Sequence, residues 1–237
     1  MTNEEAVWLF LIDKLNNPYG AAAVMGNFYI ESRIDPKSLQ SSFARKNNIT
    51  GDQYTENVDS GVYDSHSFAY DKAGYGLAQW AYWSRKLALL TFAKEAGTSV
   101  GDLHTQLEFF WHELRQYTTV LNALANATSE EDLIEASDTF ARRYEKPADL
   151  SAEALTRRSA KALFYFEMFH GSPCKMVRVT ANNVNMRAGN GKLYPSVTRA
   201  QSGEMFPWVA TSGDGWHAVE NGNRVLWLHP DYSEVVQ

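Results

Sequence analysis

The 237-residue chain lacks features that mark several protein classes. It contains a single cysteine, Cys174, which excludes an intramolecular disulfide and a cysteine-rich zinc site. Its six histidines show no zinc-protease spacing, so we expect neither a metal ion nor a cofactor. No apolar stretch approaches the length of a membrane span, and membrane insertion is not expected. The apolar and charged fractions, 44% and 21%, are those of a globular protein.

Basic charge is also scarce. Residues 1–174 contain 16 Lys and Arg against 23 Asp and Glu, and residues 175–237 contain six against five. Neither part has the basic patch of a nucleic-acid-binding protein, so nucleic acid is not an expected partner. Glu4 and Glu5 precede the short apolar run Ala6–Ile12, which is the opposite of the cationic start of a secretory signal. We interpret this run as the inner face of a first helix.

Helical periodicity dominates the first 170 residues. Thr2–Glu5 predicts a helix start, Asn17-Pro18 predicts the next, and that second helix ends near Arg33 because Asp35-Pro36 disfavours further helix. Further helices are expected from 84 to 97, 103 to 114, 128 to 140 and 151 to 171. Residues 39–72 carry only broken strand signals, and we interpret them as a β-hairpin region that walls one side of a cleft. A mobile surface insertion is the alternative for its first half.

Glu31 is the main candidate for chemistry. It lies near the end of the small-residue, apolar helical run Ala21–Tyr29. Apolar surroundings disfavour the charged form of a carboxyl group and raise its pKa, so a glutamate held there can stay protonated near neutral pH. A glycosidic general acid needs this property. The alternative is a helix-end carboxylate that is solvated or paired with Arg33.

The segment Gly74-Tyr-Gly-Leu-Ala-Gln-Trp80 is the second candidate element. Its glycines predict a tight hairpin turn, where a backbone bends or approaches a ligand closely. Tyr75, Trp80, Tyr82 and Trp83 together suit a platform for a sugar. The alternative is that these aromatic residues are core, above all Tyr82 and Trp83.

These motifs resemble those of known families. Glu31-Ser32 at a helix end, followed by Gly74-x-Gly-Leu-x-Gln79, resembles the lysozyme-like superfamily, particularly goose-type lysozymes and soluble lytic transglycosylases. With Arg85–Leu90, Gln106–Phe110 and Tyr144–Pro147 added, the pattern is most similar to the phage tail lysozyme family. The resemblance covers most of residues 1–171.

The resemblance implies a lysozyme-like peptidoglycan hydrolase that cleaves the β-1,4 link between N-acetylmuramic acid and N-acetylglucosamine, with Glu31 as general acid. Asp71 ranks first as second carboxylate, because it precedes the Gly74–Gln79 turn much as an aspartate does in goose-type lysozymes. The alternatives Asp64, Asp59 and Asp52 stay open. The implied substrate-binding residues are Ser32 near Glu31, Gln79 and Trp80 on the sugar chain, and Tyr75 and Tyr144 along the cleft.

Other functions remain open at this point. A lytic transglycosylase, in which the substrate's own hydroxyl attacks, or a glucosaminidase would act on the same glycan. A non-catalytic wall-binding or phage tail structural protein is the alternative of another class. Without a signal peptide, we expect synthesis in the host bacterial cytoplasm and action on the wall after release or as a virion component.

Strand periodicity replaces helical periodicity after the linker Ser172-Pro-Cys174. Val177 and Val179 alternate with polar residues, and Ser212–Gly215 and Asn221–Asn223 predict hairpin turns. Val184–Gly191, Gly215-Trp216 and Trp227–Tyr232 resemble bacterial SH3-type domains, which implies binding to a peptidoglycan peptide or wall polymer. Docking of proline-rich peptides is the alternative.

The expected architecture is therefore α+β with two domains. Residues 1–171 form a mainly α-helical, lysozyme-like domain with a small β-hairpin region, whose partner is the glycan strand of peptidoglycan. Residues 172–237 form a small all-β, SH3-like barrel that binds the cell wall.

Overall fold

The computed structural model describes residues 2–170, 176–221 and 224–236. The chain divides into two compact units, Met1–Phe169 and His170–Gln237. The first is helical and the second is an antiparallel β-sheet, so the predicted α+β class is confirmed. The linker Ser172–Cys174 and the last two residues of the predicted turn Asn221–Asn223 lie outside the described residues. Within the described ranges, no helix combines the length and apolar character needed to cross a membrane.

The first unit, as described, consists of ten α-helices and one π-helical turn. The α-helices are α1 (Asn3–Leu15), α2 (Pro18–Ser32), α3 (Ser41–Asn47), α4 (Gly51–Asp59), α5 (Ser65–Tyr70), α6 (Trp83–Ala96), α7 (Leu103–Leu114), α8 (Thr118–Ala125), α9 (Glu130–Phe140) and α10 (Ala152–Phe169). The π-helical turn, Ala141–Glu145, directly follows α9.

Helix α2 is buried in this unit because its small residues let other helices approach closely. Asn17 caps the helix by accepting a hydrogen bond from the N–H of Gly20, and Pro18 occupies the first helical position. A Cβ atom on Gly26 would lie 2.5 Å from the backbone nitrogen of Ala162 in α10, which leaves no space for a larger residue. The helix ends at Ser32, as predicted, and Glu31 therefore lies in its last turn.

Residues 39–72 differ from the prediction, because they form three short helices rather than a β-hairpin region. Thr50 and Gln53 make a capping box at the start of α4, and Asp64 caps α5. In this part of the described chain, β pairing is limited to the isolated bridges Leu39–Tyr75 and Tyr75–Trp80. Side-chain caps start helices here that are too short for hydrophobic periodicity to reveal.

The segment Gly74–Trp80 forms a tight turn, as its glycines predict. Tyr75 and Trp80 exchange two backbone hydrogen bonds of 2.9 and 3.2 Å. Gly76 adopts a φ of 75°, and a Cβ there would lie 2.6 Å from Oε1 of Gln106, which accepts the N–H of Leu77. Glycine is therefore required at position 76 by both conformation and space.

The second unit contains seven described strands. They are β1 (Met176–Val179), β2 (Val184–Arg187), β3 (Ser196–Ala200), β4 (Met205–Thr211), β5 (His217–Asn221), β6 (Arg224–Leu228) and β7 (Ser233–Val236), hydrogen-bonded in the order β3-β2-β6-β5-β4-β1-β7 with antiparallel neighbours. Val177 and Val179 are buried while Arg178 is exposed, which confirms the alternation. The predicted turn Ser212–Gly215 joins β4 to β5, with Gly215 at a φ of 86°. The unit has its own apolar core, centred on residues such as Met186.

Candidate active site

A cleft of about 1000 Å³ opens on the first unit. Its walls come from the end of α2, the Gly74–Gln79 turn, the start of α6 and the segment that begins in the π-helical turn. The lining residues are Glu31, Gln40, Lys72, Gly74, Ala78, Gln79, Ala81, Tyr82, Ser84, Arg85, Tyr117, Tyr144, Glu145, Lys146, Pro147 and Ala148. Three of the residues predicted from the sequence, Glu31, Gln79 and Tyr144, are therefore brought to one cleft.

Glu31 places its carboxyl group on the cleft wall, with 18% of its side chain exposed. Its Oε1 accepts a hydrogen bond from Nη2 of Arg158 in α10. The sequence predicts apolar surroundings for the Glu31 carboxyl group, with solvation or pairing to Arg33 as the alternative. The structure pairs Glu31 with a different cation, Arg158. Arg33 instead lies over the ring of Tyr29, at 4.5 Å from its centroid. A buried cation thus holds the Glu31 carboxyl group in place.

Arg158 links Glu31 to a second carboxyl group, that of Glu145. Nη1 of Arg158 donates to Oε2 of Glu145 at 2.6 Å and to Oδ1 of Asn27 at 3.0 Å. Burial, and after it the negative charge of Glu31, raise the pKa of Glu145 well above its usual range, although Arg158 and Arg85 act in the opposite direction. We call Glu31, Arg158 and Glu145 the cleft cluster.

The cleft cluster contains two buried polar atoms without a hydrogen-bond partner among the described residues. They are Oε1 of Glu145 and Nε of Arg158. The two side chains are only 2% and 5% exposed, so neither atom has free access to bulk solvent. Buried polar atoms are nearly always paired in folded proteins, and an exception calls for an explanation.

The π-helical turn sets the position of Glu145. The N–H of Lys146 donates to the carbonyl oxygen of Ala141 at 2.8 Å, which is the i to i+5 bonding of a π-helix. Tyr144 and Glu145, adjacent in sequence, consequently contribute to different environments. Tyr144 is fully buried against Phe110 and Phe140, whereas Glu145 belongs to the cleft cluster.

A hydrogen-bonded network supports the wall around Tyr144. Glu113 in α7 receives two hydrogen bonds from Arg85, both of 2.8 Å, one from Trp80 Nε1 at 2.9 Å and one from the Tyr144 hydroxyl at 2.8 Å. The guanidinium of Arg85 also lies 4.7 Å from the centre of the Tyr144 ring. Tyr144 thus lines the cleft, as the resemblance implies, and is part of the core as well.

The aromatic residues are distributed differently from the prediction. Tyr75 and Trp80 are fully buried and are absent from the described cleft lining, so they do not form a sugar platform. Tyr75 instead bonds through its hydroxyl to Thr55 at 2.6 Å. Tyr82 lines the cleft with 63% of its surface exposed, and Trp83 next to it is also exposed. Burial follows from tertiary packing, which the local sequence does not show.

Asp71 lies in a buried ion pair and is not among the described residues that line the cleft. Its Oδ1 accepts hydrogen bonds from Lys86 Nζ at 2.5 Å and from the N–H of Ala73 at 2.8 Å. Its Oδ2 accepts from the hydroxyl groups of Tyr54 at 2.5 Å and Tyr63 at 3.3 Å. We call Asp71, Lys86, Tyr54 and Tyr63 the Asp71 cluster. Both carboxyl oxygens of the first-ranked second carboxylate therefore already have partners within the fold.

The other candidate aspartates also have local partners. Asp64 caps α5, Asp59 accepts from the Ser99 hydroxyl at 2.5 Å and the Val100 N–H at 2.9 Å, and Asp52 pairs with Lys37 at 2.8 Å. None of the three appears in the described lining of the cleft.

Two substrate-binding candidates make hydrogen bonds within the fold. The hydroxyl of Ser32 donates to the carbonyl oxygen of Phe28 at 2.9 Å. The hydrogen bond to the Glu31 carboxyl group comes from Arg158 instead. Nε2 of Gln79 donates to the carbonyl oxygens of Ser38 and Gly76, both at 3.1 Å, and this fixes the side chain in the cleft wall.

Sequence reasoning missed Glu145 and Arg158, although signals for both were present. Glu145 lies inside the Tyr144–Pro147 motif, next to a residue that was selected. Arg158 stands on the buried face of α10 with Leu155 and Ala162, so it is a charged residue within an apolar stripe. A buried cation requires a partner, and that requirement points to a carboxylate elsewhere in the chain.

The second unit has a cavity of its own, of about 380 Å³. It combines three ring side chains, two cations and several polar groups. The lining residues are Ala181, Asn182, Asn183, Val184, Asn185, Arg187, Lys192, Trp216, His229 and Tyr232. Trp216 packs edge-on against His229, with centroids 4.8 Å apart.

Comparison with known proteins assigns the first unit to a family. Among curated proteins, no significant match to the chain was found. The sequence model of one family, described as phage tail lysozyme, matches residues 2–169. This match covers well over half of the chain and nearly all of the helical unit, including the cleft and both carboxyl groups of the cleft cluster. The chain therefore belongs to the phage tail lysozyme family.

Proposed function

We propose that this protein is a peptidoglycan muramidase, with Glu31 as the general acid that cleaves the β-1,4 link between N-acetylmuramic acid and N-acetylglucosamine. Membership of the phage tail lysozyme family supports a lysozyme-like action on peptidoglycan. The observation that carries the specific proposal is the Glu31 carboxyl group, partly exposed on the wall of a cleft of about 1000 Å³ and held by Arg158.

The chemistry follows from that geometry. A glycan strand in the cleft presents its glycosidic oxygen to Glu31, which donates a proton as the bond between that oxygen and the anomeric carbon breaks. Glu31 is left as a carboxylate, and the adjacent guanidinium of Arg158 stabilises the new negative charge. Gln79 and Tyr82 line the same cleft and offer an amide and an exposed ring to the sugar chain.

A lytic transglycosylase is the second candidate function, and the position of the aspartates favours it. Glycoside hydrolysis normally uses two carboxyl groups, but Asp71, Asp64, Asp59 and Asp52 are all absent from the described cleft lining. The second carboxyl group that does line the cleft, that of Glu145, is buried and paired with Arg158. In a transglycosylase the substrate's own hydroxyl attacks the anomeric carbon, so one protein carboxyl group suffices.

Loss of turbidity of purified cell walls tests the proposal. Mass analysis of the released fragments then distinguishes a muramidase from a lytic transglycosylase. Reducing N-acetylmuramic acid ends identify a muramidase, and anhydro ends identify a transglycosylase. Reducing N-acetylglucosamine ends would instead indicate a glucosaminidase. Intact walls after incubation with folded protein would contradict the enzymatic proposal and favour a wall-binding or tail structural role.

In this proposal the second unit binds the cell wall as an SH3-like module. Its antiparallel sheet is compatible with that assignment, and its cavity offers Trp216, Tyr232 and Arg187 to a wall peptide or polymer. Sedimentation with purified walls tests the role by comparing the full chain, residues 1–169 and the full-length Trp216→Ala variant. With a net charge near zero, binding by this unit should change little between low and moderate salt. A steep fall would mean that its cations dominate.

The proposal also includes where the enzyme acts. It is made in the host bacterial cytoplasm and reaches the wall after release or as part of the virion, as the resemblance to phage lysozymes implies. Detection of the chain in purified virions separates the two routes.

A further inference from the structure

The cleft cluster has an unusual balance of charge, because one buried cation serves two buried or partly buried carboxyl groups. Arg158 donates from Nη2 to Glu31 and from Nη1 to Glu145. Arg85 acts electrostatically on Glu145 and opposes the rise of its pKa. The pKa of the exposed Asp149 is lowered, first by hydrogen bonds from Ser151 and to a smaller extent by the charge of Arg158. Asn27 contributes a neutral oxygen that accepts from Arg158.

A second observation shows that the cluster is not a completed structural ion pair. Oε1 of Glu145 is buried and has no hydrogen-bond partner among the described residues, although the residue lines the cleft. A fully ionised carboxylate in that position would leave one charged oxygen without a donor, which is costly in a buried site. A carboxyl group that holds a proton for part of the time meets this constraint better.

Two carboxyl groups that share one cation do not titrate independently. When both are ionised, one negative charge remains uncompensated by Arg158. The uptake of one proton by the pair removes that excess charge, and the proton can reside on either group. Burial and the charge of Glu31 raise the pKa of Glu145, which is the direction this coupling requires.

We propose that Glu145 is a positioning residue that keeps a proton available to Glu31, because Arg158 pairs with whichever of the two carboxyl groups is ionised. In the reactive state Glu31 carries the proton, and Glu145 is the carboxylate partner of Arg158. In the resting state the proton is on Glu145, and Glu31 is the ionised partner. The inference rests on the proposed function of Glu31 as general acid.

The protons balance through the cycle. Glu31 gives its proton to the leaving oxygen, whose bond to the anomeric carbon breaks with the electron pair moving to that oxygen. Glu31 becomes a carboxylate, so both carboxyl groups of the cleft cluster are ionised and share Arg158 until a proton returns. The attacking group, a water molecule or the substrate's own hydroxyl, bonds through its oxygen to the anomeric carbon and releases one proton. That proton returns to the cleft cluster and restores its starting state.

Glu145→Gln in the full-length protein tests the inference, because glutamine keeps the shape and polarity of a neutral carboxyl group but cannot ionise. Arg158 then pairs permanently with Glu31, which loses its proton at lower pH. The alkaline limb of the pH profile of kcat/KM on soluble glycan fragments should move down by about one pH unit, a loss of about tenfold near neutral pH. Activity should recover as the pH is lowered.

Matched variants separate this role from a structural one. Glu135→Gln makes the same change on the exposed face of α9 and should leave the profile where it is. Glu145→Asp keeps an ionisable group and should keep the alkaline limb close to that of the wild type. A uniform loss across the pH range in Glu145→Gln would overturn the inference, since a purely structural role predicts that result.

A measurement that does not depend on catalysis separates failure of this inference from failure of the proposed function. In protein labelled with ¹³C at the glutamate carboxyl carbons, the Glu31 and Glu145 signals, assigned from the Gln variants, should titrate over a shared pH range. In Glu145→Gln the Glu31 signal should titrate alone and at lower pH. Independent titration in the wild type would overturn the inference even if the enzyme cleaves walls. Coupled titration in a protein that cleaves no glycan would support the shared proton and contradict the proposed function.

If Glu145→Gln does not fold, the wild-type titration decides, with the Glu145 signal assigned from its loss in Glu145→Asp. Two coupled carboxyl signals support the inference, and two separate ones reject it.

Discussion

The first unit buries two clusters of charged side chains, and they differ in how completely their atoms are paired. In the Asp71 cluster, one carboxylate faces one ammonium group, and Lys86 Nζ donates to Asp71, to the Tyr54 hydroxyl and to the Ala73 carbonyl oxygen. In the cleft cluster, one guanidinium faces two carboxyl groups, and two buried polar atoms have no partner among the described residues.

The difference teaches that burial of an ionisable residue does not by itself identify an active site. Both clusters are buried, but among the described residues only the cleft cluster contributes to the lining of the cleft, through Glu31 and Glu145, and its one cation faces two carboxyl groups. A satisfied ion pair fixes the fold, whereas an incompletely paired one keeps capacity for a proton or a ligand. Changes in the cleft cluster should therefore alter rate, and changes in the Asp71 cluster should alter stability.

The largest expected effect is on activity. Glu31→Gln removes the proposed proton donor and leaves the Arg158–Glu145 pair in place, so turnover of walls should fall by about 10² to 10⁴ while the fold persists. Turbidity assays and circular dichroism check the two parts. Glu56→Gln, an exposed change in α4, serves as the control. Retention of more than a small fraction of the activity would remove Glu31 from the mechanism.

The next largest expected effect is on stability and concerns the Asp71 cluster. Asp71→Asn leaves Lys86 without its counter-charge and should lower the free energy of unfolding by about 3–5 kcal/mol, because a buried cation without a partner is costly. Below its melting temperature the variant should keep its rate per folded molecule. Asp52→Asn, in an exposed ion pair with Lys37, should leave stability nearly unchanged. A stable but inactive Asp71→Asn protein would restore Asp71 as the second carboxylate.

The pH dependence of stability should distinguish the clusters by sign. The pKa of Glu145 is raised in the folded state, so its contribution to stability is complete below the usual value of 4.5 and is lost as pH rises through the folded pKa. Glu145→Gln should therefore gain stability relative to the wild type as pH increases. Urea unfolding at a series of pH values measures this.

Burial lowers the pKa of Lys86, and its partner Asp71 opposes this shift. The stability linked to Lys86 should thus increase as the pH rises from the lowered pKa of the folded state towards 10.5. If the free energy of unfolding linked to Glu145 and that linked to Lys86 changed with pH in the same direction, the distinction between the clusters would be wrong.

The smallest expected effect is on KM and concerns Tyr82, a cleft residue that belongs to neither cluster. Tyr82→Ala removes an exposed ring from the cleft wall and should raise KM for glycan fragments by about two- to tenfold, the range expected for one aromatic contact, with kcat little changed. Tyr70→Ala is the matched control, since Tyr70 is similarly exposed but is not among the described lining residues. Equal effects of the two changes would mean that the glycan does not follow this wall.

Local sequence patterns predicted the parts of the fold that depend on local forces. The end of α2 near Arg33 follows from Asp35-Pro36, and the turn at Gly76 follows from glycine's freedom at positive φ. Hydrophobic stripes likewise predicted helices such as α7 and α10.

Apart from the short helices of residues 39–72, the errors concern contacts between distant segments. Trp80 is buried because Glu113 of α7 accepts its indole N–H, and Asp71 is occupied because Lys86 of α6 reaches it. The pairing of Glu31 with Arg158 joins residues 127 positions apart. Lys86 and Arg158 lie on the buried faces of α6 and α10, and the local sequence does not show which carboxylates they meet.

The π-helical turn after α9 makes the length of this segment as important as its composition. An i to i+5 turn accommodates one residue more than an α-helical turn, and one α-helical residue corresponds to about 100° of rotation. The Lys146 N–H bonds to Ala141 across the extra residue, so deletion of one residue in between would make this bond α-helical and keep the register of Glu145. Insertion of a further residue into the same turn would instead rotate Glu145 away from Arg158. An insertion alone would thus break the cleft cluster, with each of its three members still present.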